Sequence, residues 1–352
     1  MEGVNNGKTA VILFNLGGPE NQAEIYPFLL NLFSDPDILR MPGFVRWILA
    51  RVIAGRRLEE ARKIYAQIGG GSPILAETLR QQQALQDEMW DRGLGNLRCF
   101  TVMRYSPPRA REVIREVKAY SPERIVLLPL YPQYSTTTTR SSLKEWRNIC
   151  QAEGLMADTR MIGCYPEHAD FITAHVALIR AAAPQYFGEN PVKKALLLFT
   201  AHGLPQRIAD AGDPYPTQIR QSAAAIAGAL GLEPADWEIS YQSRVGPLKW
   251  LQPATDARLR AAGAGGRAVV LVPISFVSEH SETLVELDRE LRHVAEMSGV
   301  PEYIRVPAPG IQRDFIHGLA SLVCQALGVK EGNILCGAPG APECCLDGEK
   351  YR

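Results

Sequence analysis

Two stretches of the chain read alike, TAVILFNLGGP at residues 9–19 and KALLLFTAHGLP at residues 194–205, and their likeness decides the fold. Each opens with an apolar run of strand length, of the kind buried inside a parallel sheet. Each then reaches a glycine-containing turn and a proline, which end a strand. Three more pairs follow in the same order: LRCFTVMRYSPP (97–108) with WEISYQSRVGP (237–247), RIVLLPLYPQYSTTTTRSSL (124–143) with RAVVLVPISFVSEHSETL (267–284), and, more weakly, ADTRMIGCYP (157–166) with PEYIRVPAPG (301–310). Helical patterns lie between them, so the chain predicts an α/β protein of two halves built on one plan. Four chance resemblances within one α/β chain are the alternative.

The 352 residues leave room for about two domains. The expected halves are residues 1–165 and 166–310, and residues 311–352 form a closing helix and a cysteine-bearing tail. Ile311 to Leu327 supplies that helix, with Phe315, Leu319, Leu322 and Val323 on one stripe. The 38 basic and 38 acidic residues cancel, which argues against a polyanionic partner such as a nucleic acid. The amino terminus carries no export signal and no stretch reaches the ~20 apolar residues of a spanning helix, so a cytoplasmic protein is expected.

Ligands of open parallel sheets bind beyond the carboxyl ends of the strands. Here those ends carry Asn15, Arg104, Tyr131, His202, Gln242 and the run Ser275 to His280, which would line one cleft if the halves face each other. After Ser278, Leu284, Leu287, Leu291 and Val294 recur at helical spacing, and Glu279, Glu282, Glu286 and Glu290 fall on roughly the opposite side. That side reads equally as a solvated acidic face, with Thr283 and Glu286 fitting a capping box, or as a functional one. His202 titrates near ~6.5 when unperturbed and can accept a proton, although a lone histidine in such a turn is commonly structural. A histidine among carboxylates suits a first-row divalent metal or proton transfer, and spacing does not separate the two.

Other features have plainer readings beside the sharp ones. GGGSPIL (69–75) lacks the spacing of a phosphate loop, and Ser72 as a cap with Pro73 at the first helical position explains it. Residues 38–57 mix Phe44, Trp47, Ile48 and Val52 with Arg40, Arg46, Arg51, Arg56 and Arg57, which suits an interface, an apolar anionic ligand or a core helix with solvated arginines. Of seven cysteines, Cys336, Cys344 and Cys345 fall in the tail. An iron–sulfur site needs a fourth ligand, for which Cys150 is the candidate, since Cys99 and Cys164 lie in strand-like runs.

The motifs FNLGGPE (14–20), YAQIGGGSPI (65–74), MRYSPP (103–108), LLPLYPQYSTTTT (127–139), FTAHGLP (199–205), YQSRVGPLKWLQPATD (241–256) and FVSEHSETLVELD (276–288) run in family order, and the sequence resembles the ferrochelatases. The resemblance implies two Rossmann-like halves with parallel four-stranded sheets flanked by helices, a porphyrin cleft between them, and insertion of Fe(II) into protoporphyrin IX as the last step of haem synthesis. It implies His202 and Glu282 as catalytic residues and first contacts of the Fe(II) substrate, with His280 and Glu286 beside them. Leu16, Arg57, Tyr65, Ser72, Arg104, Tyr131 and Trp250 match porphyrin-pocket positions. Some members carry a [2Fe–2S] cluster; here its ligands would be Cys150, Cys336, Cys344 and Cys345. The resemblance leaves open a homodimer, peripheral membrane contact by residues 38–57, and the nearest alternatives: coproporphyrin III or another tetrapyrrole as substrate, or a carrier that binds porphyrin without turnover.

Overall fold

The computed structural model describes residues 7–189, 191–192, 194–243, 246 and 248–329. Among these residues it forms two compact units, one from residues 7–165 together with 316–329, the other from Pro166 to Phe315.

The first unit holds a four-stranded parallel sheet of β1 (Thr9–Asn15), β2 (Leu97–Met103), β3 (Arg124–Pro129) and β4 (Asp158–Met161), in spatial order β2-β1-β3-β4. The second holds β5 (Ala195–His202), β6 (Trp237–Gln242), β7 (Ala268–Pro273) and β8 (Tyr303–Arg305), in the order β6-β5-β7-β8. Both sheets therefore repeat one order. Each strand takes the place of the partner with which its sequence pairs, including the weak pair β4 and β8.

Burial follows from the apolar runs. Every residue of β1 and β7 is buried, so both faces of each sheet need cover. In the second unit Leu197, Phe199, Val270 and Val272 point into one apolar cluster, and Leu196, Leu198, Val269 and Leu271 into another, as the two-residue period of a strand requires. The helix Arg313–Ala326 buries Phe315, Leu319, Leu322 and Val323 on one stripe. Within the first unit, Arg92 donates to Ser321 Oγ and to the His317 carbonyl of this helix.

The crossover from β7 to β8 differs from its expectation. In place of an ordinary acid-faced α-helix, Glu282–Glu290 is π-helical and continues as an α-helix over Leu291–Met297. The Leu291 amide donates to the Glu286 carbonyl five residues earlier, the wide turn that defines this geometry. The acids consequently do not share a face. Glu279 and Asp288 pair with Arg305, Glu282 and Glu286 reach Ser243, and Glu290 is exposed. Nor is there a capping box, since the Thr283 hydroxyl accepts from the His280 amide and donates to its carbonyl.

Candidate active site

His202 is the last residue of β5, where seven buried residues give way to a side chain left 44% accessible. The chain turns at Gly203, whose amide donates to the Gln242 carbonyl at 2.8 Å. Glycine is required there by proximity, not by a left-handed backbone. A Cβ would lie 2.6 Å from the Gln242 carbonyl oxygen and 3.3 Å from the Trp250 ring.

The His202 Nδ1 is 2.8 Å from Glu282 Oε2. This pairing makes Nδ1 the natural donor and Nε2 the acceptor of the neutral ring. The His202 amide donates to Ser275 Oγ, and the Tyr215 hydroxyl donates to the His202 carbonyl, so the residue is held from its backbone as well. Ser243 joins the two carboxylates. Its hydroxyl reaches Glu282 Oε2 at 3.1 Å and also Glu286 Oε2, while its amide donates to Glu286 Oε1 at 2.8 Å. Ser243 does this from φ +60°, a left-handed conformation that costs a non-glycine residue energy and is common at functional sites. His280 is not hydrogen-bonded into this group: its Nδ1 contacts the Ser278 carbonyl at 3.1 Å and its ring packs on Phe276.

These contacts set the charges. Burial disfavours a charged imidazole at His202, but the Glu282 and Glu286 carboxylates outweigh it and raise the pKa above the usual histidine value. Burial likewise opposes ionised Glu282, yet the charge and hydrogen bond of His202, with lesser help from His280 and Ser243, hold its carboxyl down at about 2. Glu286 moves the other way. Burial first, and then the Glu282 charge, push it up to about 7. The site thus pairs one carboxylate that stays ionised with Glu286, poised near neutrality, and with His202, whose charged form the carboxylates favour.

A cavity of about 440 Å³ adjoins the group, lined by Ser243, Glu286, Trp250, Leu248, Asp256 and Leu291 among others. Among the described residues, no set of three or more His, Cys, Asp and Glu side chains is arranged as a metal site.

In the first unit, Leu16 packs on the cluster of β1 to β3 and also on the one that holds buried Tyr65, whereas Tyr131 is buried within the former. Arg57 stands on the helix Gly43–Ala66 with its side chain 33% accessible and Glu60 at 3.9 Å. Ser72 donates its amide to the Pro19 carbonyl and accepts from the Ile74 amide at a long 3.4 Å. Its glycines have a steric reason: Gly69 and Gly70 are left-handed, and a Cβ on Gly71 would overlap the Glu20 carbonyl. Arg104 is 12% accessible and fully engaged, with Nε on Ser141, Nη1 on Glu145 and Nη2 on Asp35.

Cys336, Cys344 and Cys345 lie outside the described residues. Cys150 is half-buried near the end of the helix Thr139–Glu153, against apolar neighbours, and burial pushes its thiol up to about 12. Of the four expected cluster ligands, Cys150 alone falls among the described residues.

With the site in view, the sequence family described as ferrochelatase matches residues 8–327. The chain belongs to the ferrochelatase family. The ferrochelatase of Phenylobacterium zucineum is 50% identical over 321 residues, covering 91% of this chain and 92% of the relative. That of Caulobacter vibrioides is 44% identical over 348 residues, covering 97% and 98%. Among solved structures, SirB from Bacillus subtilis with Fe3+ is similar at a TM-score of 0.51 and 10% identity, over 91% of this chain and 96% of that one, a likeness of fold.

Sequence reasoning missed Ser243 and Tyr215 as members of the site, while Ser275 was already among the strand-end residues expected to line it. Ser243 was visible only as a residue just past a strand end, and nothing in its spacing pairs it with Glu282 or Glu286.

Proposed function

We propose that the chain inserts Fe(II) into protoporphyrin IX, giving protohaem and two protons. The observation that carries this reading is the His202–Glu282–Ser243–Glu286 group at the carboxyl end of β5 in a chain of this family. The reaction must take one proton from each of two pyrrole nitrogens as the metal enters. His202 accepts the first on Nε2, and its imidazolium is stabilised by Glu282. Glu286, poised at about 7, takes up the second or relays the first through Ser243. Glu282 stays ionised throughout, so the site remains attractive to a divalent cation while protons accumulate.

The porphyrin contacts remain those the resemblance implies: Leu16, Arg57, Tyr65, Ser72, Arg104, Tyr131 and Trp250. Their surroundings divide the work. Arg57, with an accessible guanidinium, suits a propionate, and Trp250, beside the His202 turn, suits the macrocycle face. Arg104, held by Asp35 and Glu145, offers a fixed guanidinium where Arg57 offers a freer one.

The helix Gly43–Ala66 presents Phe44 and Trp47, 75% and 55% exposed, with Arg51 stacked 3.8 Å over the Trp47 ring. This aromatic, basic surface supports peripheral contact with an anionic membrane. No described helix is long and apolar enough to cross one. A [2Fe–2S] group on Cys150, Cys336, Cys344 and Cys345 is supported by the resemblance alone, and the iron and sulfide content of anaerobically purified protein tests it.

The function itself is tested by supplying Fe(II) without oxygen to protoporphyrin IX, coproporphyrin III and sirohydrochlorin in parallel. Metallation fastest with protoporphyrin IX is expected. Faster coproporphyrin III or sirohydrochlorin metallation reassigns the substrate, and binding without turnover would make the protein a carrier.

A further inference from the structure

We propose that Arg305 is a positioning residue for the reaction, clamping the π-helical segment on both sides of Glu282 and Glu286 so that the two carboxylates stay on Ser243 and His202. This rests on the metal-insertion reading above.

Arg305 ends β8, a strand of three residues, where alternation puts Tyr303 and Arg305 on one face and Ile304 on the other. Both reach the π-helical crossover. The Arg305 guanidinium makes a two-pronged contact with Asp288, Nε to Oδ1 at 2.9 Å and Nη2 to Oδ2 at 2.5 Å, and its Nη1 lies 2.5 Å from Glu279 Oε1. Glu279 is fixed further by the Ala308 amide at 2.9 Å. Tyr303 donates its hydroxyl to the Leu287 carbonyl at 2.8 Å. Only 10% of the Arg305 side chain is accessible, so water competes little for these bonds.

The clamp brackets the reacting carboxylates in sequence. Glu279 lies three residues before Glu282, and Asp288 two residues after Glu286. A π turn holds one residue more than the α turn it replaces, and reversion to α geometry would rotate everything beyond it by about 100°. Such a rotation would swing Glu286 away from Ser243. A single guanidinium joined to Glu279, just before the π-helical segment, and to Asp288 within it opposes such a change, and the planar fork of arginine suits this task where a lysine ammonium does not.

The test is steady-state haem formation by the full chain, reading kcat and KM for protoporphyrin separately, with thermal melts as the folding control. Arg305→Lys keeps the charge but cannot span Asp288 and Glu279. It is expected to fold, to hold KM within about twofold and to lower kcat by about 10–100-fold, the usual loss when an outer partner of a site residue goes. Asp288→Asn is expected to show the same split, and millimolar guanidinium is expected to restore part of kcat to Arg305→Ala. A folded Arg305→Lys or Asp288→Asn with wild-type kcat, or with a loss confined to KM, overturns the proposal. Wild-type protein that metallates no porphyrin overturns the function reading and this proposal with it; active wild type with unaltered variants overturns this proposal alone.

Discussion

His202 Nδ1 and Glu282 Oε2 meet at 2.8 Å, one from the end of a strand and the other from the first turn of a π-helical segment. Each holds the charge of the other. Burial alone would lower the His202 pKa, and it is the carboxylate that reverses the direction. With 44% and 28% of the two side chains accessible, solvent screens the pair, and its value lies in the poise of the base more than in stability.

Glu282→Gln keeps an acceptor for the imidazole but removes the charge. The His202 pKa then falls, and the acidic limb of kcat/KM for metallation, where the ring must be unprotonated, moves to lower pH. A pH–rate profile reads this shift. A limb that stays where the wild type has it would contradict the pairing.

Glu286 gives a stability prediction of definite sign. Its folded pKa of about 7 exceeds the ordinary value of 4.5, so the fold favours the protonated form and loses stability as pH rises from 4.5 through 7. Glu286→Gln removes that loss. Its melting temperature relative to wild type is expected to be higher at pH 8 than at pH 4, and a difference independent of pH would sink the assignment.

Gly203→Ala places a methyl group 2.6 Å from the Gln242 carbonyl oxygen. Strand β5 must shift from β6 at the residue after His202, which costs about 1–3 kcal/mol for an overpacked site. Chemical denaturation and metallation assays are expected to show both a loss of stability and a lower kcat. Wild-type behaviour in both would refute the close approach.

Trp47→Glu tests the basic, aromatic helix. Sedimentation with vesicles of mixed neutral and anionic lipid is expected to bring down the wild type at low salt, less of it at high salt, and little of the variant. Metallation of detergent-dispersed porphyrin should survive the substitution if the surface serves membrane contact. Equal sedimentation of both proteins would count against that role.

The repeat was legible because burial on both faces forces apolar runs such as β1 and β7, and four segments matched in order imply that the two sheets share one plan, as their common strand order shows. His202, Glu282 and Glu286 were legible as a candidate group because a histidine and acids follow the ends of β5 and β7, and the structure does bring them together. The π turn was not, since inserting one residue leaves the hydrophobic spacing close to that of an α-helix: Leu287, Leu291 and Ala295 are still buried four apart. That one residue decides which acids converge. Ser243 and Arg305 were hidden for another reason, because their partners are brought to them by the fold, 39 residues away for Ser243 and Glu282 and 17 for Arg305 and Asp288. The partners of Arg104 were equally hidden: a strand-end arginine reads as a ligand contact, and nothing in its spacing shows that Asp35, Ser141 and Glu145 also hold its guanidinium.

The central claim, that His202 accepts a pyrrole proton while Glu282 supports it, is tested most directly by anaerobic single-turnover haem formation from preloaded protoporphyrin IX and Fe(II), comparing wild type with His202→Ala. The account predicts porphyrin binding in both and a rate lower by about 10²–10⁴-fold in the variant, the range for loss of a general base. Haem formation by folded His202→Ala at the wild-type rate would contradict it.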